Sequence, residues 1–313
     1  MFRSIWDDIK FKYKTGNSLV RIIIVNIAVF VLIYMVKLFM GIFQGEFPPP
    51  GWASFLYSIS ISSNIVEVIQ HPWSIFTHMF LHEDLGHIFW NLIVLYWFGN
   101  IVGELLGNRV VLPIYLLSGL AGAFVYIVMA NFNSAWSFGG YALGASAAVN
   151  GIILAAGVKF PHYKKNIFIW PVKVMYVAGV ILFLNIMTLS ANVNAGGAFA
   201  HLGGALMGWL FVVQMDQGND MSFTINRWLN HLANFFKKLF GPKRQKPKVV
   251  YKNPNLNKQQ KTASSKRGSF GRKSRNTLSE QDRIDAILDK IRESGYESLS
   301  DEELEYLNNA SKK

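Results

Sequence analysis

LGHIFWNLIVLYWFGNIVGE, residues 85–104, followed at once by RVVLPIYLLSGLAGAFVYIVMAN, residues 109–131, decides the class of this protein. A run of about 18 or more apolar residues is long enough to cross the ~30 Å hydrocarbon layer as a helix. Two such runs, split by a short polar joint, read as two successive membrane crossings. Working outward, runs of the same kind lie at roughly 18–43, 144–160, 168–189 and 197–215. The expectation is an all-α membrane protein with six transmembrane helices.

Composition agrees. Of 313 residues, 51% are hydrophobic and 14% aromatic, including nine Trp, and they gather in long blocks instead of short amphipathic periods. The absence of cysteine excludes a disulfide framework and a thiolate metal site. The first apolar run is too long for a signal-peptide core and has no small-residue cleavage pattern after it, so it reads as a retained span.

Charge placement sets the orientation. Lys10, Lys12 and Lys14 precede the first span, Arg109 lies between the second and third, and Lys159, Lys164 and Lys165 lie between the fourth and fifth. The opposite loops, about 44–84, 132–143 and 190–196, contain no Lys or Arg. By the positive-inside rule both termini are cytoplasmic. Nineteen of the 31 Lys and Arg follow residue 227, so the net charge of +12 belongs mostly to a cytoplasmic tail and implies no nucleic acid.

Four segments follow from these patterns. Residues 1–17 read as a cytosolic start and 18–217 as the membrane domain. Residues 218–277 read as a basic, largely disordered linker whose partner is anionic lipid, and 278–313 as a small cytosolic helical hairpin. In the hairpin, Ser279 with Asp282 and Ser300 with Glu303 signal helix starts. Ile284, Ile287, Leu288 and Ile291 mark one apolar face, and Gly295 marks the break. The aromatic and Pro-rich loop 45–83 reads as an amphipathic structure in the outer headgroup region. Small-residue ladders, Ala147/Gly151/Ala155 and Ala200/Gly204/Gly208, mark the fourth and sixth spans for close contact.

Polar residues inside spans cost free energy and mark function. They are His78, His82, His87 and Asn91 in the second span and its approach, Ser146 and Asn150 in the fourth, Asn185 in the fifth and His201 in the sixth. A lone membrane serine commonly bonds its own helix carbonyl. His201 has no ionisable partner in its own span, and the ladders make the fourth span the natural neighbour. That gives a Ser and His pair in which the imidazole takes the hydroxyl proton and the oxygen attacks a carbonyl. His87 and Asn91, four apart on one face, are suitable donors to a developing oxyanion, although Asn91 could equally serve as interhelical packing glue. The run HEDLGH from His82 to His87 fails the zinc signature because its second His comes five residues after the first. No metal and no cofactor are expected.

At these residues the chain resembles the rhomboid family of intramembrane serine proteases, of bacterial type with a C-terminal cytosolic helical extension. Thr77 to Asn91 resembles the family's second-span motif, Gly144-Ala145-Ser146 its nucleophile motif, and Ala200-His201-Leu202-Gly203-Gly204 its last-span motif. The resemblance covers about residues 70–215 and implies a six-helix rhomboid-like bundle around a water-filled cavity. It implies Ser146 as nucleophile and His201 as general base, with His87, Asn91 and the Ser146 N–H as oxyanion stabilisers. His82, Gly144, Ala147 and Asn150 stand as supporting residues. Three positions depart from the family pattern: Ala147 where Gly is usual, Asn150 where many members carry a Tyr against the catalytic His, and Trp73-Ser74 in place of a Trp-Arg pair.

The expected function is a serine endopeptidase cutting in or near transmembrane segments of membrane proteins. The alternative is a rhomboid-like protein that binds such helices without cleavage. The expected site of action is a bacterial inner membrane.

Overall fold

The computed structural model describes residues 13, 17–132, 138–167, 170–191, 194–240, 280–294 and 299–310. Its first unit runs from Met1 to Pro242 and its second from Lys243 to Lys313. The chain is an integral membrane protein and is mostly helical.

In the first unit the elements are, in order, α1 (Ser18–Gln44), α2 (Trp52–Ile59), β1 (Ile61–Ser62), α3 (Ile65–Gln70), α4 (Ser74–Thr77), a 3-10 turn (His78–Phe80), α5 (Leu85–Leu105), α6 (Asn108–Phe132), β2 (Tyr141–Ala142), α7 (Ser146–Lys159), β3 (Lys164–Ile167), β4 (Trp170–Lys173), α8 (Val174–Ser190), α9 (Ala195–Asp216) and α10 (Met221–Phe240). Among the described residues, α1, α5, α6 and α9 are long and apolar enough to cross a membrane. The helices α7 and α8 are apolar but shorter, at 14 and 17 residues. On α1 and α8 the large apolar groups that remain exposed, Leu32 and Ile42 on one and Val180 and Phe183 on the other, suit a lipid-facing surface.

Helix ends follow local chemistry. The Asn17 side chain accepts the Val20 N–H at 3.0 Å to start α1, and Asp84 accepts the His87 N–H at 2.8 Å to start α5. Gly45, at φ 70°, ends α1 by returning its N–H to the Gly41 carbonyl.

At the centre, α9 lies directly against α7, as the two ladders anticipate. A Cβ on Gly204 would overlap the Ala147 carbonyl oxygen, and one on Gly208 would overlap that of Gly151. Without hydrophobic drive between helices in lipid, such backbone proximity lets dispersion do the holding. Beneath α4, Tyr115 of α6 donates its hydroxyl to the Met79 carbonyl (2.7 Å), and Asn26 of α1 donates to the same hydroxyl (3.2 Å). All three residues are fully buried.

Two expectations need correction. The fifth membrane helix begins at Val174 and not at 168, because Lys164–Ile167 pairs antiparallel with Trp170–Lys173. A short apolar run such as Trp170-Pro171-Val172 carries no periodicity that separates strand from helix. The linker expected over 218–277 contains a 20-residue helix, α10. Its low overall hydropathy hid an amphipathic period: Met221, Ile225, Trp228, Leu232, Phe235 and Leu239 share one face, with Asn226, Asn230 and Asn234 on the other. The rest of that linker, residues 241–277, lies outside the described residues, as do the Ser279 cap and Gly295. The loop over 45–83 is built of short helices and a strand, and β1 pairs with β2, Ile61 opposite Ala142.

Helix α10 is held at a defect in α6. Pro113 has no N–H, so the Arg109 carbonyl one turn back has no helical donor. The Asn226 side chain donates to that carbonyl at 2.9 Å, and the Arg109 guanidinium meets Asp220 at 2.9 Å.

The second unit holds α11 (Glu280–Ser294) and α12 (Asp301–Ala310). Ser300 and Glu303 form the reciprocal cap that the sequence suggests: the Ser300 N–H reaches Glu303 Oε2 at 2.8 Å and the Glu303 N–H reaches Ser300 Oγ at 3.4 Å. Lys290 of α11 meets Glu303 at 2.6 Å, and Ile287 and Leu299 are buried.

Candidate active site

Ser146 is the first residue of α7, and the turn before it is shaped by Gly144. That glycine sits at φ 132°, and a Cβ there would come within 2.9 Å of His87 Nε2. Its N–H donates to the His78 carbonyl at 2.9 Å, tying the turn before Ser146 to the segment before α5. Ala145 supplies no side-chain cap, so the first N–H groups of α7 stay available at the positive end of the helix dipole.

His201 stands in the second turn of α9. Its Nε2 lies 2.7 Å from Ser146 Oγ and its Nδ1 lies 2.8 Å from Asn185 Oδ1 on α8. Asn185 Nδ2 donates to Asn150 Oδ1 at 3.0 Å, and Asn150 Nδ2 donates to the Ser146 carbonyl at 2.9 Å. Four polar residues on three helices are thus linked, and both amides are buried.

His87 and Asn91 of α5 line, with Ser146, His201, Asn194 and Tyr141, a cavity of about 330 Å³. Asn91 Nδ2 uses one hydrogen on its own helix, at the His87 carbonyl (2.9 Å), which leaves the second for a ligand. A second cavity, of about 410 Å³, reaches Ser146 from the side between α5 and α8, past Trp90, Val94, Ile153 and Ile181. Ser146 borders both.

The other histidines do not reach the serine. His78 Nδ1 faces the Ser74 carbonyl at 2.9 Å, and burial lowers this imidazole to about 4, so it is neutral. His82, also lowered to about 4 by burial and then by His87, packs edge-on to His87 with ring centroids 5.0 Å apart. It lines a separate cavity of about 220 Å³ with Tyr34, Lys37 and Trp52.

Two of the departures from the family pattern acquire a physical meaning. The Ala147 methyl faces Gly122 of α6, where an added Cβ would come within 2.6 Å of it, and Ala147 does not line the serine cavity. Asn150 provides a hydrogen-bonded link where a Tyr would stack. Asn185 is the residue whose place the sequence reading missed: it registers as polar and intramembrane, but nothing in its spacing points to His201. Trp73 uses its indole N–H on the Ser58 carbonyl at 2.8 Å.

Residues 70–216 match the family model described as a Rhomboid domain. The chain carries a rhomboid domain over those residues. Residues 274–313 match a Family of unknown function (DUF6576). Among curated relatives of this rhomboid, RHOMBOID-like protein 12, mitochondrial, of Arabidopsis thaliana is 32% identical over 145 residues, 42% of this chain and 43% of that protein. Presenilin-associated rhomboid-like protein A, mitochondrial, of Danio rerio is 33% identical over 137 residues, 42% of this chain and 35% of that protein. Rhomboid protein 1, mitochondrial, of Saccharomyces cerevisiae is 29% identical over 142 residues, 44% of this chain and 40% of that protein. The rhomboid chain therefore spans less than half the length of these relatives. Their names place them in mitochondria, so they lend no support to a bacterial inner membrane.

Proposed function

We propose that this rhomboid is an intramembrane serine endopeptidase acting on transmembrane segments of membrane proteins. The observation that carries this reading is the 2.7 Å approach of His201 Nε2 to Ser146 Oγ. In the proposed reaction Ser146 Oγ attacks the scissile carbonyl as its proton passes to His201 Nε2. His201 then gives that proton to the leaving amine, and water repeats the sequence on the acyl-enzyme. The oxyanion is held by the Ser146 N–H, Asn91 and His87. Substrate binding in a bilayer-embedded site selects helices already in lipid.

The proposed architecture has six crossings, with α7 and α8 as the two short ones, and cytoplasmic termini. Its segments remain 1–17, 18–217, 218–277 and 278–313, with α10 inside the third and the basic residues of that third segment on anionic lipid. The bacterial compartment rests on the charge asymmetry and the cysteine-free composition alone.

The test is reconstitution with a single-span substrate, comparing wild type with Ser146→Ala and His201→Ala. Loss of cleavage in both variants is expected. Equal cleavage by all three would sink the dyad, and no cleavage by wild type across several substrates would favour helix binding without catalysis.

A further inference from the structure

A neutral imidazole carries its proton on either ring nitrogen, and only the form bare at Nε2 can accept the Ser146 proton. The contacts behind His201 decide between the two forms. The Ser146 carbonyl can only accept, so Asn150, at 2.9 Å, must turn its NH₂ toward it. Asn150 Oδ1 then faces α8, and Asn185 must offer its own NH₂ across 3.0 Å. Asn185 Oδ1 is left for His201 Nδ1 at 2.8 Å, which must carry the proton. Nε2 is the bare nitrogen, 2.7 Å from Ser146 Oγ. Turning either amide over would set donor against donor or acceptor against acceptor, so one fixed carbonyl dictates the whole series.

From this we infer that Asn185 is a positioning residue of the proposed hydrolysis, holding His201 in the tautomer and orientation that make it a base toward Ser146, with Asn150 fixing Asn185 in turn. The inference rests on the Ser146 and His201 reading and adds a third and a fourth member to it. Asn185 moves no proton. During attack the Ser146 proton goes to Nε2, and the resulting imidazolium keeps its Nδ1–H on the Asn185 oxygen until Nε2 releases its proton to the leaving group. A carboxamide does this without adding a buried charge between apolar helices. The series also begins and ends on Ser146, so a shift of α8 disturbs base and nucleophile together.

The experiment uses the full chain in detergent micelles and the rate of Ser146 labelling by a fluorophosphonate probe, separated into probe affinity and maximal rate. Labelling of wild type that disappears in Ser146→Ala and slows in His201→Ala establishes the dyad. Unlabelled wild type, or labelled Ser146→Ala, defeats the dyad and the inference with it. With the dyad established, Asn185→Leu should lower the maximal rate about 10- to 100-fold, the loss expected for one buried hydrogen bond, with affinity unchanged within about twofold. Asn185→Asp, which keeps the acceptor toward His201 Nδ1 but sets an oxygen against Asn150 Oδ1, should recover part of that loss. A wild-type maximal rate in Asn185→Leu, a loss confined to affinity, or equal losses in Leu and Asp would each overturn the positioning role. Nitrogen-15 NMR of histidine-labelled protein, with His201 assigned from His201→Ala, reads the tautomer without turnover: protonation at Nδ1 is expected in wild type, and protonation at Nε2 would refute the inference.

Discussion

Replacing Gly204 by Ala tests whether the α7–α9 contact is what holds the site together. The added methyl would overlap the Ala147 carbonyl oxygen and sit 2.7 Å from its carbon and 3.1 Å from the Ala147 Cα. All three are backbone atoms and cannot swing away, so relief requires the helices to part by about 1 Å. Ser146 is the next residue on α7, and His201 lies one turn before Gly204 on α9. Parting would stretch their 2.7 Å approach to roughly 3.7 Å, outside hydrogen-bonding range. A misplacement of ~1 Å costs about 100-fold in rate, and the overpacking itself costs about 1–3 kcal/mol of stability. The assay is single-turnover substrate cleavage in proteoliposomes, with thermal unfolding measured in parallel. Gly179→Ala on α8 is the control, since an added Cβ there meets nothing within 4 Å. A Gly204→Ala protein that cleaves within twofold of wild type would refute the reasoning, because the dyad distance would not then depend on backbone contact.

Two further outcomes follow from polar groups away from the dyad. Tyr115→Phe removes the hydroxyl that serves both the Met79 carbonyl and Asn26; a loss of about 1–2 kcal/mol in a denaturant titration is expected, and unchanged stability would show that those groups find other partners. In the second unit, Lys290 and then the Ser300 N–H hold the Glu303 carboxyl below the usual carboxylate range. Its contribution is therefore present above the ordinary carboxylate pKa and lost as pH falls through the depressed one. NMR titration of the full chain should show the Glu303 midpoint rise in Lys290→Ala, and an unmoved midpoint would remove Lys290 as the cause.

The long apolar runs were legible because crossing a bilayer demands length, and length is written directly in sequence. The ends of α1, α5 and α9 agree with the expected limits to within about two residues, since caps such as Asp84 are local. The pairing of Ser146 with His201 was legible for a different reason: His201 has no ionisable partner in its own span, and the small-residue ladders put the Ser146 helix beside it. What was hidden is relational. Asn185 is one Asn in an apolar helix, and its meaning depends on the rotation of α8 relative to α7 and α9, which no period of three or four encodes. Helix α10 was hidden because a composition average over 218–277 mixes its amphipathic residues with a basic tail. The hairpin before α8 was hidden because Trp170-Pro171-Val172 continues an apolar run smoothly into the helix.

Pro113 is usually counted as a flaw in a helix, but here it acts as an address. Of all the carbonyls along α6, the one at Arg109 is released by the missing N–H, and Asn226 is bonded to it. The surface helix is thereby indexed to a single rung of α6, and the Arg109–Asp220 pair pins the connector that leads into it. Mechanically, a load on the residues after Phe240 is handed to α6 before it can bend the end of α9. The proline isolates the helix of His201 from the traffic of the tail.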